Sequence, residues 1–341
     1  MRQTGAVLLA LCTVALVVAL CGCGGSGGTA GPGEDAVGKP QPPPPPPPVP
    51  PGKLVGSKVV SAVQNVWGIF TMNTNGTDKV QVNVGGGSAA AHCWSQPDAA
   101  LILLGGLSTV PRAGGTPTVF VAQEEPGLPM GVGSVSNGCG AWSPDGSRVA
   151  FKRYWVDDEY YNLHAIAVKD WPNGPARLIT PGQQMVRDEF PTWSPDGEYV
   201  LFQRYDHSLA RGQLMVVAAD GQSPPYYVAE NDLSVKGPSD WYRDDTTGEN
   251  CIVYGSGGLA RLQVDATGHA IGSPIALPDG GYSSYYRCPR WSPDGRFVAF
   301  SNENVTKKGS VFTTYILDVT GESPGSLYTV GDLGFVDWAA Q

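Results

Sequence analysis

The residue patterns that could carry chemistry in this chain are few. Gly-x-Ser-x-Gly, the setting of an esterase nucleophile, occurs twice, around Ser26 and around Ser323. The first lies in a Gly-rich stretch and the second in a turn, and neither has the strand-to-helix context that exposes such a serine. Pro324 also lacks the backbone N–H that an oxyanion hole would take from that position. His92, His164, His207 and His269 are scattered without metal-ligand spacing, and no zinc or cofactor motif accompanies them. Asp145, Asp196 and Asp294 each stand in Ser-Pro-Asp-Gly, where hydrogen bonding within a turn accounts for them. One convergence remains as a reading of enzyme chemistry: His207, Arg187 and Asp158 meeting as a carbohydrate-active or other catalytic site.

The elements that would position these residues are set by an internal repeat. Trp142-Ser143-Pro144-Asp145-Gly146 recurs at Trp193–Gly197 and Trp291–Gly295, each time followed by an apolar run ending in Phe151, Phe202 or Phe300. Degenerate copies begin at Trp94 and Trp241 and a truncated one at Trp338, so the tryptophans are spaced by 48, 51, 48, 50 and 47 residues. Proline fixes φ at the second turn position and glycine takes the left-handed one, which closes a hairpin between a strand ending in Trp and the apolar run. A third strand (Leu163–Val168, Gln213–Val217, Val311–Ile316), a turn rich in Asp, Asn and Gly, and a fourth strand complete the unit. Four antiparallel strands per repeat make a propeller blade. Residues 54–341 are 288 in number, six times the period. Trp338–Gln341 is a first strand with no blade behind it, and Lys58–Val84 supplies the other three. The expected fold is all-β: a six-bladed β-propeller of four-stranded antiparallel blades, closed by pairing of the N- and C-terminal strands.

Ahead of the repeats, Arg2 and the apolar run Ala6–Leu20 read as a signal peptide, too short for a comfortable membrane span. Leu20-Cys21-Gly22-Cys23 resembles a bacterial lipobox, with Cys23 the residue to be lipidated and residues 1–22 removed. Several acyl chains on one cysteine would anchor the chain durably where one is marginal. In residues 24–53, 19 of 30 are Gly or Pro, including Pro42–Pro48, so residues 23–53 form a tether and not a core. The stretch Pro40–Pro51 is expected to be a polyproline II rod of about 37 Å.

The formal charge is −9 and no basic run is present, which argues against nucleic acid as partner. Loops that share one face of the propeller gather Tyr154, Trp155, Asp157, Asp158, Tyr160 and Tyr161, then Arg187 and Asp188, then His207, then Tyr282, Tyr285, Tyr286 and Arg287. Aromatic residues with arginine are the composition of binding hot spots, so these residues are the expected binding face. Four cysteines follow the leader: Cys93, Cys139, Cys251 and Cys288. An even number in an exported chain permits disulfides in three connectivities, and positions relative to the tryptophans favour Cys93–Cys139 and Cys251–Cys288.

The Trp-Ser-Pro-Asp-Gly repeats, together with Ile69-Phe70-Thr71-Met72-Asn73-Thr74-Asn75-Gly76, resemble the TolB-type propeller family over nearly everything after the tether. The resemblance implies the fold and a periplasmic scaffold role, and related repeats form the non-catalytic propeller of prolyl oligopeptidase-like enzymes. The whole reading is a monomeric, cofactor-free propeller, exported and lipid-anchored on the periplasmic or cell-surface side of a bacterial membrane. Its expected partner is an envelope protein or peptide, or a glycan.

Overall fold

The computed structural model describes residues 52–61, 66–84, 91–229, 234–279, 288–306, 309–320 and 325–339. The expected leader, the expected lipidation site Cys23 and nearly all of the expected tether lie outside these residues. So do Tyr282, Tyr285, Tyr286 and Arg287 of the expected binding face.

Each Trp-Ser-Pro-Asp-Gly copy forms the tight turn that its residue types dictate. Gly146, Gly197 and Gly295 take φ of 72°, 74° and 65°, a region open to glycine at little cost. Ser143 Oγ donates to Asp145 Oδ1 at 2.6 Å, and that oxygen also accepts the Ser147 N–H at 3.0 Å. The same bonds recur at Ser194/Asp196 and at Ser292/Asp294. The side-chain bonds to Ser143 and Ser147 hold the Asp145 carboxyl at about 2, below the ordinary range. The repeated aspartates are therefore turn residues.

Turn follows strand six times, and the described residues form six four-stranded antiparallel sheets. Five are contiguous in sequence. The remaining sheet, blade 1, joins Gly334–Ala339 as its inner strand to Lys53–Ser61, Val66–Asn73 and Val80–Val82. In it Trp338 pairs with Leu54 and Ala339 with Lys53, the position at which other blades have their Ser-Pro-Asp-Gly turn. The chain thus enters and leaves the ring on the face of those turns. The inner strands of blades 2 to 6 are Ala91–Trp94, Ser136–Trp142, Val186–Trp193, Ser239–Arg243 and Arg290–Trp291, and each touches the next around a closed ring. The six blades and their closure are as the repeat implies.

The core is six wedges between neighbouring blades. The repeat tryptophan of each blade belongs to the wedge it shares with the preceding blade; Trp193, for example, packs with Ala141, Ala150 and Ile166. Burying such a ring contributes about 2–3 kcal/mol, and six equivalent wedges explain why the spacing is so regular. Hydrogen bonds cross the same seams. Trp193 Nε1 donates to the Ala141 carbonyl and Trp338 Nε1 to the Arg290 carbonyl, both at 3.0 Å.

Candidate functional site: a groove on the loop face and a charged collar in the channel

Three hollows follow from this architecture. The first is a groove of about 450 Å³ between blades 3 and 4, on the face opposite the Ser-Pro-Asp-Gly turns. Its blade 3 wall comes from the strand Arg148–Val156, the turn after it and the start of the strand Asn162–Asp170: Tyr154, Tyr160, Tyr161, Asn162 and His164. Its blade 4 wall comes from the connection to that blade, its inner strand and the loop after Tyr199–Asp206: Gln184, Met185, Val186, Arg187 and His207.

The walls are shaped by a few local interactions. Asp157 accepts the N–H groups of Glu159 and Tyr161, which tightens the turn and turns out Tyr160, 81% exposed at φ 64°. Across the groove Met185 is 61% exposed at φ 62°, and its carbonyl accepts the His207 N–H at 2.8 Å. Two non-glycine residues held in the left-handed region, with apolar side chains turned outward, are the kind of cost found where a surface is built for use. The Tyr154 hydroxyl donates to Asn162 Oδ1 at 2.7 Å, and its ring lies 5.0 Å from that of His164. Arg187 rests its guanidinium 5.1 Å from the Tyr205 ring, whose edge contact with His207 is 4.9 Å. Among the described residues Arg187 has no ion pair, and neither its Nε nor His164 Nδ1 has a hydrogen-bond partner.

Burial, with Lys152 nearby, lowers the His164 imidazole to about 4. It is therefore neutral in the folded protein at pH values where the unfolded chain, with an imidazole near about 6.5, is half charged. A depressed imidazole contributes stability above the unfolded value and loses it as the pH falls through the native one. Resistance to urea should accordingly decline between pH 6.5 and pH 4, and His164→Phe should flatten that decline. Equal slopes in the two proteins would refute the assignment.

Of the expected binding face, Tyr154, Tyr160, Tyr161, Arg187 and His207 are brought into this one groove. Asp157 serves the turn, and Asp158 is exposed beside it, outside the lining. Trp155 and Asp188 are corrections. Trp155 is not on a loop but on the strand Arg148–Val156, 6% exposed. Its ring packs against the connection between the two blades so closely that a Cβ at Gly182 would lie 2.3 Å from Cη2. Asp188 is fully buried on an inner strand, where Arg204 Nε and Nη2 donate to its two oxygens at 2.7 and 2.8 Å. Burial nonetheless raises its carboxyl. Both residues support the groove from behind. Asn162, His164, Gln184 and Met185 belong to the lining as well; the alternation of buried Phe151, Arg153 and Trp155 along one strand is the signal that would have placed the wall.

The second hollow, about 140 Å³, lies in the central channel and is lined by Cys139, Phe190, Cys288 and Phe335, among others. These four stand three residues before the tryptophans of their blades, and all take left-handed φ, between 43° and 55°. Breaks of register accompany three of them, so the motif is a repeated bulge that turns a side chain into the channel. The third hollow, about 310 Å³, opens on the turn face among the repeat tryptophans and prolines, with Thr192, Asp240 and Asp337 at its base.

Between these two hollows runs a charged collar. Cys93, Ala141, Thr192, Asp240, Arg290 and Asp337 each precede a repeat tryptophan. Asp337 Oδ2 accepts the Trp94 N–H at 2.9 Å and Asp240 Oδ2 the Trp291 N–H at 2.8 Å, so each carboxylate reaches into the next blade. Arg290 sits between them, Nε 3.5 Å from Asp337 Oδ1 and Nη1 donating to the Ser239 carbonyl at 3.0 Å. Burial raises the Asp337 carboxyl to about 6, against the pull of Arg290.

Neither expected disulfide is present. All four thiols are free, and Cys93 Sγ lies 3.6 Å from the Gly140 carbonyl, its acceptor. Cys251 starts the second strand of blade 5 near the turn face, whereas Cys288 precedes the inner strand of blade 6 at its other end. Burial pushes Cys93 and Cys288 up to about 12, which leaves them as unreactive thiols.

No protein-family model matches the chain, and no curated protein matches its sequence. Solved structures do match. A protein of unknown function from Bacteroides caccae shares 12% identity at a TM-score of 0.50, over 86% of this chain and 100% of that one. A structure assigned to TolB of Agrobacterium tumefaciens shares 16% at 0.41, over 84% and 91%. An oligogalacturonate lyase in complex with manganese shares 13% at 0.49, over 82% and 74%. Likeness at such identities is one of fold, and the fold of this chain is the six-bladed β-propeller.

Proposed function

We propose that this propeller is a binding module of the bacterial cell envelope, exported and held to a membrane by lipid on Cys23, and that it recognises its partner in the groove between blades 3 and 4. The observation that carries the reading is the groove itself. Exposed Tyr160 and Met185 stand on opposite walls of a hollow that Arg187 also lines, and among the described residues that arginine has no ion pair. Such side chains are enriched in recognition surfaces, and strands from two blades hold the walls firmly. The sequence ahead of the ring supports the tether: an apolar leader, a lipobox-like Cys23 and a Gly/Pro spacer.

Two measurements test this. A photo-crosslinking amino acid placed at Tyr160 in living cells should give a discrete adduct that the same residue at Ser223, on the turn face, does not. The same ladder from both positions, or none from Tyr160, would count against the groove. Lipid labelling should be lost in Cys23→Ala, and an unchanged labelled band would remove the anchor from the proposal.

A second reading, a carbohydrate-active or other enzyme, gains from the meeting of Arg187 and His207 with His164 in one hollow. It loses its carboxylate, since Asp158 stands outside the lining. Binding is therefore the reading favoured.

A further inference from the structure

We infer that the groove between blades 3 and 4 takes an acidic peptide segment, one side-chain carboxylate seated against the Arg187 guanidinium and its neighbours lying over Tyr160, Tyr161 and Met185. This rests on the groove being the binding site proposed above and adds the chemistry of what it binds.

The composition of the lining makes the case. Arg187, Asn162, Gln184, the tyrosine hydroxyls and two imidazoles are donors, or donor and acceptor together, and among the described residues no carboxylate lines the groove. A neutral sugar brings many hydroxyl donors and is best met by carboxylate acceptors, which this lining lacks. A carboxylate brings acceptors only. Arg187 is already held in place by Tyr205, so its fork is oriented before a ligand arrives and little freedom is lost on binding. Its partly enclosed position strengthens a charge-assisted bond relative to one in open water.

The nearby aspartates do not cancel this charge at the floor. Asp157 and Asp206 turn their carboxylates into their own loops, Asp157 onto the N–H groups of Glu159 and Tyr161, Asp206 onto Ser208 and Leu209. Asp158 and Glu159 are exposed on the blade 3 turn and lie outside the lining. They would repel an acidic residue placed beside that turn, which favours seating the carboxylate against Arg187. The amide groups of Asn162 and Gln184 suit a peptide backbone, and the apolar body of Met185 adapts to varied side chains.

The test uses the full-length protein and a phage-displayed library of random heptapeptides. Selected peptides should be enriched in Asp and Glu and should lose binding to Tyr160→Ala/Tyr161→Ala. Arg187→Gln should weaken a synthetic selected peptide about tenfold or more, Glu→Gln in the peptide should do the same, and Arg187→Lys should keep part of the affinity. Arg187 is partly buried, and the peptide substitution reads the same contact without touching the fold. Selection of neutral or basic peptides in the groove would overturn the acidic ligand and leave the binding reading intact, as would an unchanged affinity in both substitutions. Trigalacturonate binding through Arg187 in place of peptides would overturn the peptide. Selection of no peptide sensitive to Tyr160 and Tyr161, with no trigalacturonate binding, would overturn both the inference and the site.

Discussion

Arg290→Met is expected to destabilise the protein by about 3–5 kcal/mol at pH 7.5. Among the described residues the guanidinium is the one cation between Asp240 and Asp337 in the channel collar, and its removal leaves two largely buried carboxylates close together without a counter-charge. Each of those carboxylates also holds the backbone N–H of the next blade, so the damage spreads over the seams between blades 5 and 6 and between 1 and 2. The loss should depend on pH in a defined sense. Asp337 is already raised to about 6 by burial, and without Arg290 it rises further. A carboxyl raised above its unfolded value of about 4 contributes stability at low pH and loses it as the pH climbs through the native value. The deficit should therefore be largest at pH 8 and shrink toward pH 5. Adding Asp240→Asn and Asp337→Asn to the Met variant should recover part of the loss. Chemical denaturation across that range checks all three statements, and a pH-independent deficit would show that the collar does not carry the charge coupling described.

Deleting residues 333–341 should abolish the cooperative folded ring. The segment supplies Leu333, Val336 and Trp338, all 4% exposed or less, to the wedge between blades 6 and 1, and Asp337 to the collar. Losing one large core side chain costs about 2–5 kcal/mol, so several at once exceed the roughly 5–15 kcal/mol that holds a domain folded. The strand Lys53–Ser61 would also become an open edge and invite aggregation. Addition of a peptide spanning 333–341 should restore solubility and a melting transition. A truncated chain that melts at the same temperature with the same sharpness would mean that the closure is dispensable.

How much of this was readable from the residues depends on whether the cause is local. The tryptophan period was legible because every blade meets the same need, one indole for one wedge, and the Ser-Pro-Asp-Gly turns because their bonds lie within five residues. The collar was not, because Asp240, Arg290 and Asp337 act on one another from positions some fifty residues apart in neighbouring blades. The bulges were hidden for another reason: Cys139, Phe190, Cys288 and Phe335 occupy a conformation usually left to glycine or asparagine, and nothing in their types announces it. Trp155 and Asp188 were placed on loops because the apolar run before them ends at Phe151 and the segment around Asp188 is polar. In the structure the first strand runs on to Val156, and Asp188 pairs with Arg204 across two strands. Tyr154, Tyr160, Tyr161, Arg187 and His207 of the groove were found by composition, Asn162, His164, Gln184 and Met185 were not, and the assembly required knowing that blades 3 and 4 stand side by side.

Lys53 and Ala339 lie together at the turn face, so a support coupled to the ring at either of these two positions, whether a resin, a sensor chip or a fused carrier, would present the tyrosine-lined hollow to incoming solution. Attachment through surface lysines carries no such guarantee, since the exposed Lys236 stands on the same face as that hollow. Immobilised assays of this protein should therefore give orientation-dependent signals, strong for coupling at Lys53 or Ala339 and diminished for random amine coupling.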